Sequence, residues 1–561
     1  LEVIPVSAID RALTLDVPQT EPLDDRQSPN HGGGYSYTVD EWTRLRRWLI
    51  LGTDGGSYYQ GERDLTRENL KVVSDALTAD AERALGEAVA VSRGGLAKRN
   101  DQALYLVAAG LAHADEKTRQ AAALALPEIA RTGTHLFQVA EWHKALSERG
   151  GVGWGTVARR AFSNTLGQLG TDRLALHMVK YRQRHGWTYR DILRKAHPDH
   201  TALGADRVAL YEWACGRDLG DLAGHLPAIV RAYEAAQKAT SVQELIPLIT
   251  GDPGLPWEAI PSELLPGAWG HLIDAGMPIG ALTRNLSTFV RRGALNPLDD
   301  RERLVVASLT SPEKIRAARM HPVAFLDAML VHADGGTGDN YPSGWGSYHG
   351  AARGRTSLSR GGPFAPNQAV LGALDEAFRL AFQAVTPAQK RFYLAVDVSD
   401  SMTWTACAGS AIITPRQGAA AQALVTASTE PRVHVAAFSR GMVPVTVRSN
   451  MGIREAVDMF GRVQAGPTDC AAPMVDAAQR RIPVDCFVVY TDNETNVGRV
   501  HPMHALRQYR KTMDIPAKLV VVGMTATNFS IADPADGGCL DLAGFDASTP
   551  AVISRFAAGM I

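Results

Sequence analysis

The feature that most constrains the fold of this chain is a change of grammar near residue 390. From about residue 40 to 333, apolar residues recur with a helical period. "DQALYLVAAGLAHA" sets Leu104, Val107, Ala108 and Leu111 at i, i+3, i+4 and i+7, one apolar face. "EKTRQAAALALPEIAR", helical up to Arg131, and "THLFQVAEWHKAL" follow after short breaks. Closely spaced helical hairpins with few β-branched runs predict a stack of helix pairs of the HEAT type, although no strict repeat period is visible. Past residue 390, the strand-like runs "FYLAVDV", "VHVAAFS", "MVPVTV", "CFVVYTD" and "AKLVVVGM" alternate with helical stretches at 415–428, 452–461, 472–481 and 502–513. Strands alternating with helices imply a largely parallel, doubly wound sheet covered on both faces. The fold class is therefore α followed by α/β.

The expected boundaries follow from this change. Residues 1–39, with "PQTEPLDDRQSPNHGGG", are Pro/Gly-rich and weakly patterned, an N-terminal arm that is largely loop. Residues 40–370 form the helical domain and 371–561 the α/β domain, with one more helix at about 367–384 at their junction. The stretch 334–363 is rich in Gly, Ser and Tyr and carries Arg353, Arg355 and Arg360, so it reads as an exposed connector, or more sharply as a supplementary RNA contact.

The 561 residues carry a net charge of −1, so the chain as a whole is no polycation and any nucleic-acid binding depends on local basic surface. Five cysteines (Cys215, Cys407, Cys470, Cys486 and Cys539) form no CxxC pair and no zinc spacing, which suits a reducing interior. No apolar run long enough to span a bilayer and no signal-peptide pattern occur, so no membrane association and a cytoplasmic location are expected.

In "RFYLAVDVSDSM" (391–402), Asp397, Ser399 and Ser401 stand just past a strand-like run, at the carboxyl end where doubly wound sheets collect ligands. "AGPTDC" adds Thr468 and Asp469, and "CFVVYTDNET" adds Asp492 at the end of another such run. Hydroxyls and carboxylates without imidazole or thiolate suit a hard dication, above all Mg²⁺, with Mn²⁺ or Ca²⁺ as alternatives. A lone D-x-S-x-S more often caps a helix than binds metal; the ordered Thr and strand-end Asp make the set specific. It resembles the metal-ion-dependent adhesion site of von Willebrand factor A domains. That resemblance makes Ser399, Ser401 and Thr468 direct ligands, and Asp397 and Asp492 ligands directly or through water. Asp400, between the serines, departs from the small residue often found there. The loop is neither a G-x-S-x-G elbow nor an Asp-nucleophile loop, and nothing ties His501 or His504 to a serine, so no catalysis is expected.

Residues 151–200 hold nine Lys/Arg against three acids. Within "MVKYRQRHGWTYRDILRKAHP", Lys180, Arg182, Arg184, Arg190, Arg194 and Lys195 interleave with Tyr181, Trp187 and Tyr189. Cations that grip phosphates beside aromatics that stack on unpaired bases suit RNA, whereas the bland alternative makes the aromatics core and the cations a solvated face.

Across residues 40 to 561, "KYRQRHGW", "ALTRNL", "RFYLAVDVSDSM", "AGPTDC", "TDNET" and the long "HPMHALRQYRKTMDIPAKLVVVGMT" together resemble the Ro autoantigen family, a TROVE domain followed by a von Willebrand factor A domain, in a bacterial-type member. The resemblance implies a monomeric ring of HEAT-like repeats closed by the A domain around a basic hole. It implies small noncoding Y RNA on the outer surface, and 3′ ends of misfolded RNA taken through the hole. Lys180, Arg184 and His197 match the family's RNA-contacting positions. A 3′ exoribonuclease such as polynucleotide phosphorylase is an implied partner. The alternatives from other classes are a protein–protein adhesion module acting through the metal site, and a Mg²⁺-dependent nuclease, which lacks an evident general base.

Overall fold

The computed structural model describes residues 16–53, 57, 60, 62–150, 152–199, 201, 203–336, 362–382, 385–403, 405–407, 410, 412–443, 445–448 and 451–561. Most of the Gly-rich stretch, with Arg353, Arg355 and Arg360, and the first fifteen residues of the expected arm lie outside the described residues. The described residues divide into two compact units: those up to Asn69 with those from Phe382 onward, and residues 70–336 with 362–381.

The strands among the described residues are β1 (Gln27–Pro29), β2 (Tyr35–Thr38), β3 (Arg391–Asp397), β4 (Arg432–Phe438), β5 (Met442–Val443), β6 (Cys486–Thr491), β7 (Lys518–Gly523), β8 (Phe529–Ser530) and β9 (Cys539–Ala543). The α/β unit is built on a sheet ordered β5-β4-β3-β6-β7-β9, parallel throughout except for β5. β6 is buried along its whole length and β3 along all but its first residue, which is why both read as continuous apolar runs. Chain order places β4 on one side of β3 and β6 on the other, so the strand order reverses at β3 and opens a crevice beyond Asp397.

Three expectations are corrected here. Among the described residues of "MVPVTV", only Met442 and Val443 pair, at the sheet edge, and Val445–Val447 do not continue the strand. The edge strand β9 and the helix Thr549–Ala557 were not expected, because the half-buried "CLDLA" has no continuous apolar run. Finally, the described part of the expected arm, residues 16–39, is not loose. β1 pairs with β2 and β2 with β8, and Gln19, Asn30, Ser36 and Tyr37 are buried. Helix Glu41–Leu51 also belongs to this unit rather than to the helical one. Its Arg47, 1% exposed, forms an ion pair with Asp541 of β9 and donates to the carbonyls of Thr527 (3.0 Å) and Phe529 (2.7 Å).

The second unit is the expected succession of helices. Helix Asp101–Leu111 packs on Gly133–Gly150, Glu116–Ile129 on Thr156–Gly167, and Thr156–Gly167 on Tyr189–Ala196, the two-layer stacking of helix pairs. Leu104, Val107, Ala108 and Leu111 are buried as their period required. The end of the unit returns to its beginning, where His321 Nε2 lies 3.1 Å from the Leu96 carbonyl and Lys98 pairs with Asp327.

Candidate functional site

The basic segment of the helical unit is a hairpin followed by a short helix. After helix Thr171–Lys180, Arg184 and Trp187 exchange both backbone hydrogen bonds, at 3.1 and 2.8 Å, around His185 (φ 53°) and Gly186 (φ 77°). Two successive left-handed residues make the tight two-residue turn that suits a hairpin, and glycine takes the second position without steric cost. Thr188 then starts helix Tyr189–Ala196 through a reciprocal capping box with Asp191, and His197 ends it in a left-handed conformation.

This arrangement separates the two halves of the expected site. Arg182, Arg184, Arg190, Arg194, Lys195 and His197 are exposed. Trp187 and Tyr189 are core residues, 7% and 4% exposed, so they are not platforms for unpaired bases. The Trp187 indole donates to Glu141 at 2.8 Å and packs on Trp154, while Tyr189 packs edge-on against Phe137. A Cβ on Gly133 would lie 2.7 Å from the Tyr189 hydroxyl and 2.8 Å from the Tyr181 Cβ, so the two tyrosines close over a position only glycine can fill. Lys180 is half-buried, 3.5 Å from Glu258 and over the Tyr181 ring.

Arg182 is held by residues with no local signal in the sequence. Its guanidinium lies 5.3 Å from the Trp213 ring and 4.9 Å from the Tyr233 ring. Two aromatic faces restrain the side chain and leave its charge in place.

The five oxygen-bearing residues of the α/β unit fall in the crevice at the strand ends. Asp397 ends β3 and accepts the Ser399 N–H at 2.8 Å and the Thr491 hydroxyl at 2.7 Å. The Ser399 and Ser401 hydroxyls are 3.1 Å apart. Thr468 is tied to the 492–497 loop through Asn496, and the adjoining Gly466 carbonyl accepts from Asp400 N–H at 3.0 Å. Exposure of Asp397, Ser399, Ser401, Thr468 and Asp492 is 3% or less. Glu494, which the sequence reading missed, is equally buried and is held by His31 Nδ1 (3.0 Å) and Gly32 N–H (3.1 Å). Its signal lay in a partner segment more than 460 residues away.

Burial pushes the Asp397 carboxyl up, against the hydrogen bonds from Ser399 and Thr491. Burial, and then the charges of Asp397 and Glu494, push Asp492 up. A buried carboxyl whose affinity for a proton is raised by two neighbouring carboxylates is an electrostatic fit for a hard cation, and the hydroxyls around it are oxygen donors of the right kind. Among the described residues no three His, Cys, Asp or Glu side chains converge as a metal site, so a cation here depends on the serine and threonine oxygens. His501 Nε2–H donates to the Glu21 carbonyl and His504 faces Gln508, neither of them serving a serine.

Comparison with known proteins agrees with this architecture. The TROVE domain family matches residues 28–241 and 255–334, and the Ro60 vWA domain family matches residues 391–557. The RNA-binding protein RO60 of Deinococcus radiodurans is 38% identical over 98% of both chains, and that of Caenorhabditis elegans is 29% identical over all of this chain and 94% of its own. The crystal structure of the Deinococcus radiodurans RO (RSR) protein superposes with a TM-score of 0.63 at 36% identity, covering 93% of this chain and all of that one. With a TROVE unit, a vWA unit and full-length similarity to these relatives, the chain belongs to the Ro family.

Proposed function

We propose that the protein binds RNA without catalysing a reaction, as a scaffold for small noncoding Y RNA and for the 3′ ends of misfolded RNA. The observation that carries this reading is the outward run Arg182, Arg184, Arg190 and His197, raised on a fixed hairpin and capped helix, in a relative of proteins named RNA-binding. Phosphates are met by the exposed cations, and Arg182 is pre-ordered by its two aromatic neighbours. A cytoplasmic location and delivery of bound RNA to a 3′ exoribonuclease complete the proposal.

In the same reading, Ser399, Ser401 and Thr468, with Asp397 and Asp492, hold Mg²⁺. Such an ion supplies positive charge that relieves the carboxylate repulsion and ties three loops together. The shielding of all five residues favours this structural role over capture of a partner's acidic side chain.

Gel-shift titration of a Y-like RNA tests the main proposal. Arg184→Ala with Arg190→Ala, and separately His197→Ser, should weaken binding at matched salt. Unchanged affinity in both would overturn the assignment.

A further inference from the structure

A second basic feature of the helical unit lies away from the hairpin. A pocket of 410 Å³ is walled by Arg93, Arg131, Arg173 and Arg319, with Glu128 the one acidic residue in its lining. The four guanidinium groups come from four places in the chain: the end of helix Glu62–Gly94, the turn after Glu116–Ile129, the first turn of Thr171–Lys180, and the residues after Pro312–Ala317. Glu128 is already paired with Arg93, at 2.6 Å. Among the described residues, Arg131, Arg173 and Arg319 have no carboxylate partner, and Arg131 Nε is buried without a hydrogen bond. Arg319 ends helix Pro312–Ala317 in a left-handed backbone (φ 49°), with the Met320 N–H on the Ile315 carbonyl, and this cap fixes where its side chain starts.

The surrounding groups register the uncompensated charge. Burial first, and then Arg319, lower the Arg131 guanidinium. The neighbouring His135 and His177 imidazoles are pushed down to about 4, by burial first and then by Arg131 and Arg173 respectively. Clustered guanidinium groups repel one another, with the least screening at the partly buried Arg131, and an anion that joins them removes that repulsion. Planar guanidinium forks match phosphate oxygens bidentately, and an excess of three positive charges favours a group carrying two or more negative charges over a singly charged diester.

We propose that this pocket binds a phosphate dianion, a phosphomonoester or pyrophosphate of the kind carried by a free nucleotide or by a phosphorylated RNA end. The site does not depend on the role assigned to the Arg182–His197 surface, since a free nucleotide would occupy it whether or not that surface binds RNA.

The test uses the full-length protein. Pyrophosphate binding is followed by thermal shift, and fluorescence anisotropy compares a single-stranded oligoribonucleotide bearing a terminal monophosphate with its hydroxyl-ended counterpart. Pyrophosphate is expected to raise the Tm. Arg173→Gln and Arg319→Gln, both exposed and outside the core, should each weaken its binding about tenfold, the weight of a charge-assisted hydrogen bond. Arg303→Gln, outside the pocket, should leave it unchanged. A preference for the phosphorylated RNA end that is lost in both variants identifies an RNA terminus as the source. Pyrophosphate binding with no preference between RNA ends identifies a free nucleotide. Absence of pyrophosphate binding, or binding unchanged in both variants, overturns the proposal.

Discussion

The side-chain amide of Gln19 donates to the Asp469 carboxylate at 2.7 Å, joining residues 450 positions apart in the chain. The same amide nitrogen reaches the Val500 carbonyl, also at 2.7 Å, and the Gln19 carbonyl oxygen accepts from Thr495. The N-terminal segment is therefore a strap across the loops that carry Thr468 and Asp492. Gln19→Ala is expected to cost about 2 kcal/mol, since it leaves buried polar partners unpaired. Limited proteolysis should then cut near residue 30 earlier than in the wild type, with RNA affinity unchanged.

Acid should weaken the helical unit in a defined window. His135, His143, His177 and His332 are each pushed down to about 4, in every case with burial as the first cause. In the unfolded chain a histidine titrates near 6.5. The unfolded state therefore binds more protons between these values, and stability is full above about pH 6.5 and falls as pH drops towards 4. His332 Nε2 accepts the Asn367 backbone N–H at 3.0 Å, a bond that protonation of that nitrogen breaks. Denaturant titrations from pH 8 to 4 should show this loss. His332→Gln should flatten it by about one proton.

The hairpin separates an RNA contact from a packing residue. Arg184→Ala should weaken RNA binding and reduce the salt slope by about one, with little change in Tm. Trp187→Ala should instead cost about 3–5 kcal/mol of stability, because it opens a cavity beside Trp154 and frees Glu141. Gly186→Ala, at φ 77°, should cost about 1 kcal/mol and weaken RNA binding by misplacing Arg184. Salt-dependent gel shifts and thermal melts on the same preparations check all three.

Cation removal gives a further check. With Mg²⁺ replaced by a chelator, the wild type should melt at a lower temperature because its buried carboxylates are left repelling. Asp492→Asn should raise the melting temperature in chelator and abolish the Mg²⁺-dependent increase. Differential scanning calorimetry on the two proteins, with and without Mg²⁺, reads both effects.

Local patterns in the sequence determined much of this protein. The period of Leu104, Val107, Ala108 and Leu111 marked a buried helix face, and the apolar run ending at Asp397 marked a strand with a ligand loop behind it. Both signals are carried by neighbours within a few residues, where backbone geometry fixes which side chains share a face. Only the tertiary structure decided which aromatics of the basic segment were core. An aromatic between cations reads alike whether it faces a base or Phe137, and the distinction at Tyr189 depends on a helix about fifty residues earlier. The same holds for Arg182, seated on Trp213 and Tyr233, and for the polar N-terminal segment, whose weak pattern gave no sign of a strap. Burial there comes from hydrogen bonds spanning hundreds of residues, and such contacts leave no periodicity in the chain on either side.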